Sequence, residues 1–283
     1  MKLLVFGLGY SAGFFARHGA AEFSAIAGTT RAGRTALPGV EALVFDGLRA
    51  NDAVLAHIAQ AEALLVGIAP DAEGDPVLRH FGMAIAAAGG VSRVVYLSTI
   101  GVYGDHGGAW VDETTEPTPS SPRTVARVEA EKGWLAMGAH GKSVHVLRLA
   151  GIYGPGRNAL ENLREGTARR IDKPGQVFNR IHVEDIARAI TAAFARKGCA
   201  VWNATDTEPA PPQEVIAHAA GLLGMEPPPL LPFAGAEMSP MARSFYSDNK
   251  RVSNQRLLDA LGGKMAYPTY REGLAALAAA SPL

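Results

Sequence analysis

A glycine-rich turn near the start of the chain has the residue types and spacing that hold a phosphate group. The apolar run 2–6 leads into Gly7, Gly9 and Ala12, which match the pattern G-x-G-x-x-G/A. In this pattern the glycines permit a tight turn, and the amides that open the next helix face a pyrophosphate. Glycines also punctuate ordinary strand-to-helix turns. The turn predicts a dinucleotide site at Gly7, Gly9, Tyr10, Ala12 and Gly13.

Two arginines follow the second predicted strand, where the identity of the dinucleotide is usually decided. About 20 residues after the glycines, an Asp or Glu commonly binds the ribose 2′-hydroxyl of NAD. Here the chain reads Thr29, Thr30 and Arg31, with no acid. Arg31, supported by Arg34 and Thr30, could pair with the 2′-phosphate of NADP, because a guanidinium binds phosphate bidentately. The sequence favours NADP and leaves NAD open, the alternative being that both arginines are solvated.

Three further residues are predicted at the adenosine end of the dinucleotide. Asp46 follows the third predicted strand, and Ile68 and Ala69 follow the fourth. In an open α/β sheet, ligands bind beyond the carboxyl ends of the strands. Each of these residues would equally suit a loop cap.

Short apolar runs alternate with helical stretches along most of the chain, which predicts an α/β fold with a doubly wound parallel sheet of the Rossmann type. Right-handed crossovers are expected between the strands. The predicted strands are Leu3 to Phe6, Ser24 to Thr29, Ala42 to Phe45, Ala63 to Gly67, Val94 to Ser98, Ser143 to Leu149 and Ala200 to Asn203. The predicted helices include Asn51 to Gln60, Val77 to Gly89, Thr124 to Ala139 and Val183 to Arg196.

The change in pattern along the chain predicts two domains. Residues 1–203 would form the dinucleotide-binding domain, with a loop excursion at 151–180 toward the substrate side. Residues 204–283 are mostly helical and would form a smaller substrate-side subdomain.

The composition limits the kind of partner and the compartment. Lys plus Arg and Asp plus Glu each total 27, so the formal charge is zero, and neither nucleic acid nor a membrane is an expected partner. The single cysteine, Cys199, rules out an internal disulfide framework and is predicted at the start of a buried strand. No apolar run has the length of a membrane span. We expect a small-molecule substrate and a reduced, cytoplasmic location.

Three blocks of sequence together resemble the extended short-chain dehydrogenase/reductase superfamily, in particular its NAD-dependent epimerase/dehydratase group. The blocks are Val94 to Gly104, Val146 to Arg157 and Arg180 to Ala187. The glycine spacing at the N-terminus is similar to that of atypical branches of the superfamily. The resemblance implies a hydride-transfer site built from a Ser or Thr, a Tyr and a Lys, with the tyrosine as general acid/base. It also implies a possible homodimer through the helices Val77 to Gly89 and Thr124 to Ala139.

Matching these roles residue by residue leaves the site incomplete. Thr99, next to Ser98, matches the family hydroxyl, but the tyrosine and lysine positions hold Arg123 and Arg127. A guanidinium stays protonated and cannot exchange a proton with substrate. Arg127 could still bind the nicotinamide ribose, as the family lysine does. The acidic pair that follows the Thr in family dehydratases is also absent, so dehydration is not predicted.

A relocated proton donor would restore the chemistry. Tyr103 lies on the same turn as Thr99, and Tyr153 and His182 lie in loops expected near the cleft. Each has a structural alternative, as a packed ring or a capping group. Asp185 is read as a structural carboxylate at the start of a helix, and Arg157 as a loop residue that could contact substrate. Neither a metal site nor a nucleophile motif is predicted.

Two functions remain open from the sequence. The first is an NADP-preferring oxidoreductase or epimerase that acts on a small polar, sugar-nucleotide-like substrate with Thr99 and Tyr103. The second is a catalytically silent dinucleotide-binding or sensor protein.

Overall fold

A computed structural model describes residues 1–280 and divides them into two compact units. The first unit comprises Met1–Val102, Pro119–Leu149 and Ile186–Trp202. The second comprises Tyr103–Thr118, Ala150–Asp185 and the described residues from Asn203 onward. The domain boundary expected after residue 203 stays a prediction.

The strands are β1 (Lys2–Phe6), β2 (Ala25–Thr30), β3 (Val40–Val44), β4 (Ala63–Val66), β5 (Arg93–Thr99), β6 (Trp110–Val111), β7 (Ser143–Leu149), β8 (Gly151–Tyr153), β9 (Arg170–Asp172), β10 (Arg180–His182), β11 (Ala200–Ala204), β12 (Leu230–Pro232) and β13 (Arg251–Val252). The α-helices are α1 (Tyr10–His18), α2 (Asp52–Gln60), α3 (Pro76–Ala87), α4 (Pro122–Ala136), α5 (Ala159–Arg164), α6 (Val183–Phe194), α7 (Pro212–Leu222), α8 (Pro240–Ser244), α9 (Gln255–Ala260) and α10 (Tyr270–Ala280). Short 3₁₀ helices lie at Ile100–Tyr103, Met137–His140 and Phe233–Gly235.

The central sheet has seven strands in the order β11-β7-β5-β4-β1-β2-β3. Pairing is parallel, with Leu4 of β1 opposite Ala27 of β2 and Leu64 of β4. The predicted Rossmann-type α/β fold is therefore confirmed, and the predicted strands and helices differ from the observed ones by a few residues at their ends. Because the chain winds outward in both directions from β1, the strand order reverses beside it, which is where such sheets bind ligands.

Local capping explains where the helices of the first unit begin. The side chain of Asn51 accepts the amide of Val54 at the start of α2, and a reciprocal capping box joins Ser121 and Thr124 at the start of α4. One Asp75 carboxylate oxygen accepts two amides of α3, and the other accepts the indole N–H of the fully buried Trp134. The same carboxylate thus caps α3 and fixes α4 beside it.

The second unit combines three two-stranded parallel pairs with helices around a separate core. The pairs are β10 with β8, β12 with β9, and β13 with β6. Its main apolar cluster includes Tyr153, Leu160, Val215 and Tyr270. Gly273 of α10 packs directly against the Tyr153 ring, and a Cβ at Gly273 would overlap that ring. The helix therefore approaches as closely as it does because this position lacks a side chain.

One prediction about packing is wrong. Cys199 is exposed and precedes the strand, which begins at Ala200 and becomes buried only at Trp202. The apolar residues that suggested burial lie after the cysteine, so the predicted start of the buried strand was a few residues too early. Within residues 1–280 no helix is long and apolar enough to cross a membrane. The cytoplasmic location stays a prediction.

Candidate functional site

The glycine turn after β1 has the backbone geometry that the sequence requires. Gly7 has a φ of 89°, and a Cβ there would lie 2.8 Å from Cγ1 of Ile68, so a side chain is excluded both by conformation and by space. The Gly7 N–H donates to the hydroxyl of the buried Thr29 (2.9 Å). This bond ties the turn to β2.

The N-terminus of α1 opens directly from this turn. Its N-cap is Gly9, which has no side chain to cap the helix, and its first turn contains no acidic residue. The first amides of a helix have no partner within the helix and carry its positive dipole end. A Cβ built on Gly9 meets nothing within 4 Å, so the space in front of the helix is open. Tyr10, Ala12 and Gly13 lie in the first turns of α1, and pyrophosphate binding by these residues stays a prediction.

The predicted 2′-phosphate residues lie on a turn that closes on itself. The Thr30 hydroxyl accepts the Arg34 amide (3.1 Å) and donates to the Arg34 carbonyl (3.2 Å), and Gly33 between them has a φ of 62°. Arg31 and Arg34 are both exposed on this turn. Thr30 therefore shapes the loop, and the two guanidinium groups remain in water at the carboxyl end of β2.

The residues predicted at the adenosine end lie beyond β3 and β4. Asp46 is exposed and accepts the Leu48 amide (2.9 Å), so it caps its own turn. Ile68 is partly buried, and it is the side chain that a Cβ at Gly7 would strike. Ala69 is exposed.

A buried ion pair organises the carboxyl end of β5. The Ser98 hydroxyl donates to Oε1 of Glu131 on α4 (2.5 Å), and Glu131 accepts Nη2 of Arg148 on β7 (2.7 Å). All three side chains are buried. The hydroxyl hydrogen of Ser98 is therefore used in the bond to Glu131. Its neighbour Thr99 is partly accessible, with its hydroxyl accepting the Gly101 amide (3.1 Å).

The two arginines of α4 have different surroundings. Arg123 is exposed in the first turn of the helix. Arg127 is partly buried and uses Nη1 to bind the Tyr96 hydroxyl and the Leu97 carbonyl, each at 3.0 Å. Its Nε is buried without a hydrogen-bond partner among the described residues. Arg127 therefore joins α4 to the end of β5.

In the second unit, Tyr103 is fully buried. Its hydroxyl donates to Oδ1 of Asn203 (2.8 Å), and the Asn203 side chain donates in turn to the Ser253 carbonyl (3.0 Å). The ring is packed, as in the structural alternative to catalysis, but the hydroxyl donates to a side-chain oxygen and not to a backbone carbonyl. A role for Tyr103 as general acid stays a prediction.

Tyr153, His182 and Tyr267 form a cluster of rings in the second unit, with an edge-to-face contact between Tyr153 and His182 and a tilted one between His182 and Tyr267. The His182 ring centre lies 5.1 Å from that of Tyr153 and 4.1 Å from that of Tyr267. Burial lowers the pKa of His182 to about 4, and its Nδ1 accepts the Glu184 amide. The imidazole is therefore neutral at pH 7 with its proton on Nε2. Asp185 accepts the amides of Ala266 and Tyr267 and holds that segment.

Sequence reasoning missed a buried acid beside an arginine. Asp206 is 1% exposed, and burial raises its pKa to about 8 against the opposing effect of Arg180. Its Oδ2 has no hydrogen-bond partner within residues 1–280. The signal in the sequence is weak, because Asp206 stands in a polar loop where a carboxylate is ordinarily solvated.

Comparison with known proteins shows what this chain resembles. The family model described as "NAD dependent epimerase/dehydratase family" matches residues 82–204. The predicted resemblance to that family is thereby confirmed for this stretch. A functionally unknown conserved protein from Silicibacter pomeroyi is 48% identical to this chain, covers 100% of it and 99% of its own chain, and has a TM-score of 0.88.

Two other matching proteins have names that state a reaction or a bound ligand. A 3-diazoavenalumate denitrifying reductase from a Streptomyces species is 31% identical over 142 residues, and the alignment spans 46% of this chain and 45% of the reductase, so the chain matches less than half of that relative's length. The structure of MoeE5 in complex with UDP-glucuronic acid and NAD is 23% identical, covers 97% of each chain and has a TM-score of 0.76. At that identity the second match shows the shared fold.

The buried carboxyl group predicts an unusual dependence of stability on pH. The Asp206 carboxyl ionises near pH 3.8 when unfolded but holds its proton to about pH 8 when folded. The folded state therefore binds more protons, and the contribution of Asp206 to the free energy of unfolding falls as the pH rises through this window. We expect Asp206→Asn to remove that decrease, as measured by urea unfolding at a series of pH values. The exposed Asp259→Asn should keep the wild-type curve; an Asp206→Asn curve of wild-type shape contradicts the assignment.

Proposed function

We propose that the chain binds a nicotinamide dinucleotide, prefers NADP, and transfers hydride to or from a small polar, sugar-nucleotide-like substrate. The observation that carries the proposal is the turn at Gly7 and Gly9, which leaves open space before the N-terminus of α1 at the point where the strand order reverses. The match of residues 82–204 to the epimerase/dehydratase family model supports it, as do NAD and UDP-glucuronic acid in MoeE5 and the reductase activity named for the Streptomyces relative.

The residues of the first unit suit distinct parts of such a cofactor. The amides that open α1 suit the pyrophosphate, Arg31 and Arg34 suit a 2′-phosphate, and Arg127 suits the nicotinamide ribose. When bound, the nicotinamide supplies the hydride donor or acceptor. Thr99 offers a hydroxyl at the end of β5. The side chain that exchanges a proton with the substrate is not assigned by the fold, and Tyr103 is the first candidate to test.

A second function is favoured by the residues at positions 123 and 127. Both are arginine, and the Tyr103 hydroxyl is fully enclosed and bonded to Asn203. These features suit a protein that holds the dinucleotide without turnover, as a sensor or binding partner. A homodimer also stays a prediction, and Met83 of α3 and Val125 of α4 are exposed on the helices named for it.

Gly9→Ala tests dinucleotide binding without disturbing the fold. A Cβ at Gly9 meets nothing in the protein, and its φ of −78° is open to alanine, so the ligand-free Tm should be nearly unchanged. A methyl group in front of the helix should weaken NADPH at least about tenfold and reduce the Tm rise that NADPH produces. Gly89→Ala, also in open space in the first unit, should respond to NADPH like the wild type. An unchanged Gly9→Ala response argues against this site.

The two exposed arginines test the choice between NADP and NAD. A hydrogen bond to a charged group contributes about 1.5–3 kcal/mol, so Arg31→Ala and Arg34→Ala should each weaken NADPH by roughly tenfold or more and leave NADH unchanged. Fluorescence titration with both cofactors measures the ratio. Arg17→Ala, exposed at the end of α1, is the control. Equal affinities of the wild type for NADPH and NADH would refute the phosphate role.

Turnover separates the two functions. NADPH oxidation should be followed with UDP-sugars, simple carbonyl compounds and aryl diazo compounds as substrates. A substrate-dependent rate that falls by about a hundredfold or more in Tyr103→Phe, with NADPH affinity retained, assigns proton transfer to Tyr103. Thr99→Val should lower the rate in the same assay. Tight NADPH binding with no turnover of any compound supports the silent binding protein.

A further inference from the structure

Arg180, at the start of β10 in the second unit, uses only part of its guanidinium group for the fold. Its Nη1 donates to the carbonyls of Phe178 (2.9 Å) and Ala210 (3.1 Å). The guanidinium carbon lies 5.8 Å from the ring centre of Tyr270. A guanidinium has five N–H donors, so those of Nε and Nη2 remain. Within residues 1–280 neither Nε nor Nη2 has a hydrogen-bond partner. Both atoms keep some solvent-accessible surface.

No carboxylate of the described chain lies within 4 Å of the Arg180 nitrogens to neutralise its charge. Glu208 is near, but it forms an ion pair with Arg271 (2.9 Å). The Asp206 amide donates to the Arg180 carbonyl (2.6 Å), and Oδ1 of the Asp206 side chain accepts the Glu208 amide (3.2 Å). Arg180 therefore forms no ion pair with a carboxylate of the described residues, although the Asp206 carboxyl is near enough to act on its charge.

The carboxyl group of Asp206 does not supply the missing charge at pH 7. Burial raises the pKa of Asp206 to about 8, so the group is largely protonated and neutral. The other ionisable groups that act on Asp206 or Arg180 include Glu208, Glu272, Tyr153, Tyr246 and Tyr270. Burial raises the pKa of the three tyrosines, which keeps their phenols neutral. Of the two charged carboxylates, neither forms an ion pair with Arg180, and Glu208 is already paired with Arg271.

The guanidinium group of Arg180 is surrounded by protein, but part of the residue remains accessible to solvent. Surrounding protein desolvates it enough to lower the pKa of Arg180, while the residue keeps part of its surface accessible. A desolvated cation without a partner is costly, and an anion brought to it gains more than it would at an open surface. We propose that Arg180 binds the anionic group of the substrate, a carboxylate or a phosphate, in the second unit. The inference relies on the proposed function only in calling this ligand the substrate.

The competing explanation is that Arg180 acts only as a clamp between β10 and the loop at Ala210. The two explanations differ in which donors matter. A clamp needs Nη1 and would affect stability alone, whereas an anion site needs Nε and Nη2 and responds to added anions. The test must therefore measure ligand response separately from stability.

The experiment uses Arg180→Met and Arg180→Gln in the full chain saturated with NADPH, so that added anions do not compete at the glycine turn. Sulfate, acetate and methyl phosphate are titrated while Tm is recorded. Arg164→Met, which removes an arginine already paired with Glu161, is the control. We expect the wild type and the control to gain Tm with an anion, and both Arg180 variants to require roughly tenfold more of it or to lose the response. A stronger response to acetate or to methyl phosphate identifies the group as a carboxylate or a phosphate.

Dependence on pH gives a second readout that a clamp would not produce. Sulfate keeps its charge in this range, so its affinity should fall above about pH 8, where Asp206 ionises. Asp206→Asn should flatten that profile. The proposal is overturned if the folded Arg180 variants gain as much Tm with all three anions as the wild type does. It is also overturned if the Tm of the wild type rises no more than that of the variants. If NADPH does not bind but the anion response still depends on Arg180, the proposed function fails while this inference stands.

Discussion

The buried carboxylate of Glu131 is the interaction on which the arrangement at the sheet edge depends. It joins α4 to β7 through Arg148 and to β5 through Ser98. Removing one member of such a pair leaves an uncompensated buried charge, which typically costs about 3–5 kcal/mol. Because α4 also carries Arg123 and Arg127, and β5 ends at Thr99, this pair fixes where these groups lie relative to the sheet.

The parts of the fold that follow from local pattern were predictable from sequence. The strands, the parallel sheet and the turn at Gly7 depend on apolar periodicity and on glycine, and both are visible in the sequence. The site was less predictable, because burial and pairing depend on distant segments. Ser98 could be recognised as a polar residue at a strand end, but its commitment to Glu131 depends on how α4 packs. The Tyr103 hydroxyl likewise donates a hydrogen bond to Asn203, a residue 100 positions away in the sequence.

The two arginines of α4 illustrate how a structural role and a chemical role separate. Arg127 holds the end of β5 through the Tyr96 hydroxyl and the Leu97 carbonyl, a structural role that a charged, multidentate group performs well. Arg123, at the position of the family tyrosine, cannot exchange a proton with a substrate. Arg180 presents the opposite case, since the fold uses one of its nitrogens and leaves the others for a ligand.

The turn closed by Thr30 and Arg34 has a consequence for the energetics of recognition. Its backbone is already held in the bent form by two hydrogen bonds and by the left-handed conformation of Gly33. The entropy of ordering this loop is therefore lost when the protein folds, not when a ligand arrives. A phosphate that meets the loop does not have to order its backbone, so the cost of binding that remains is that of ordering and desolvating the two exposed arginine side chains.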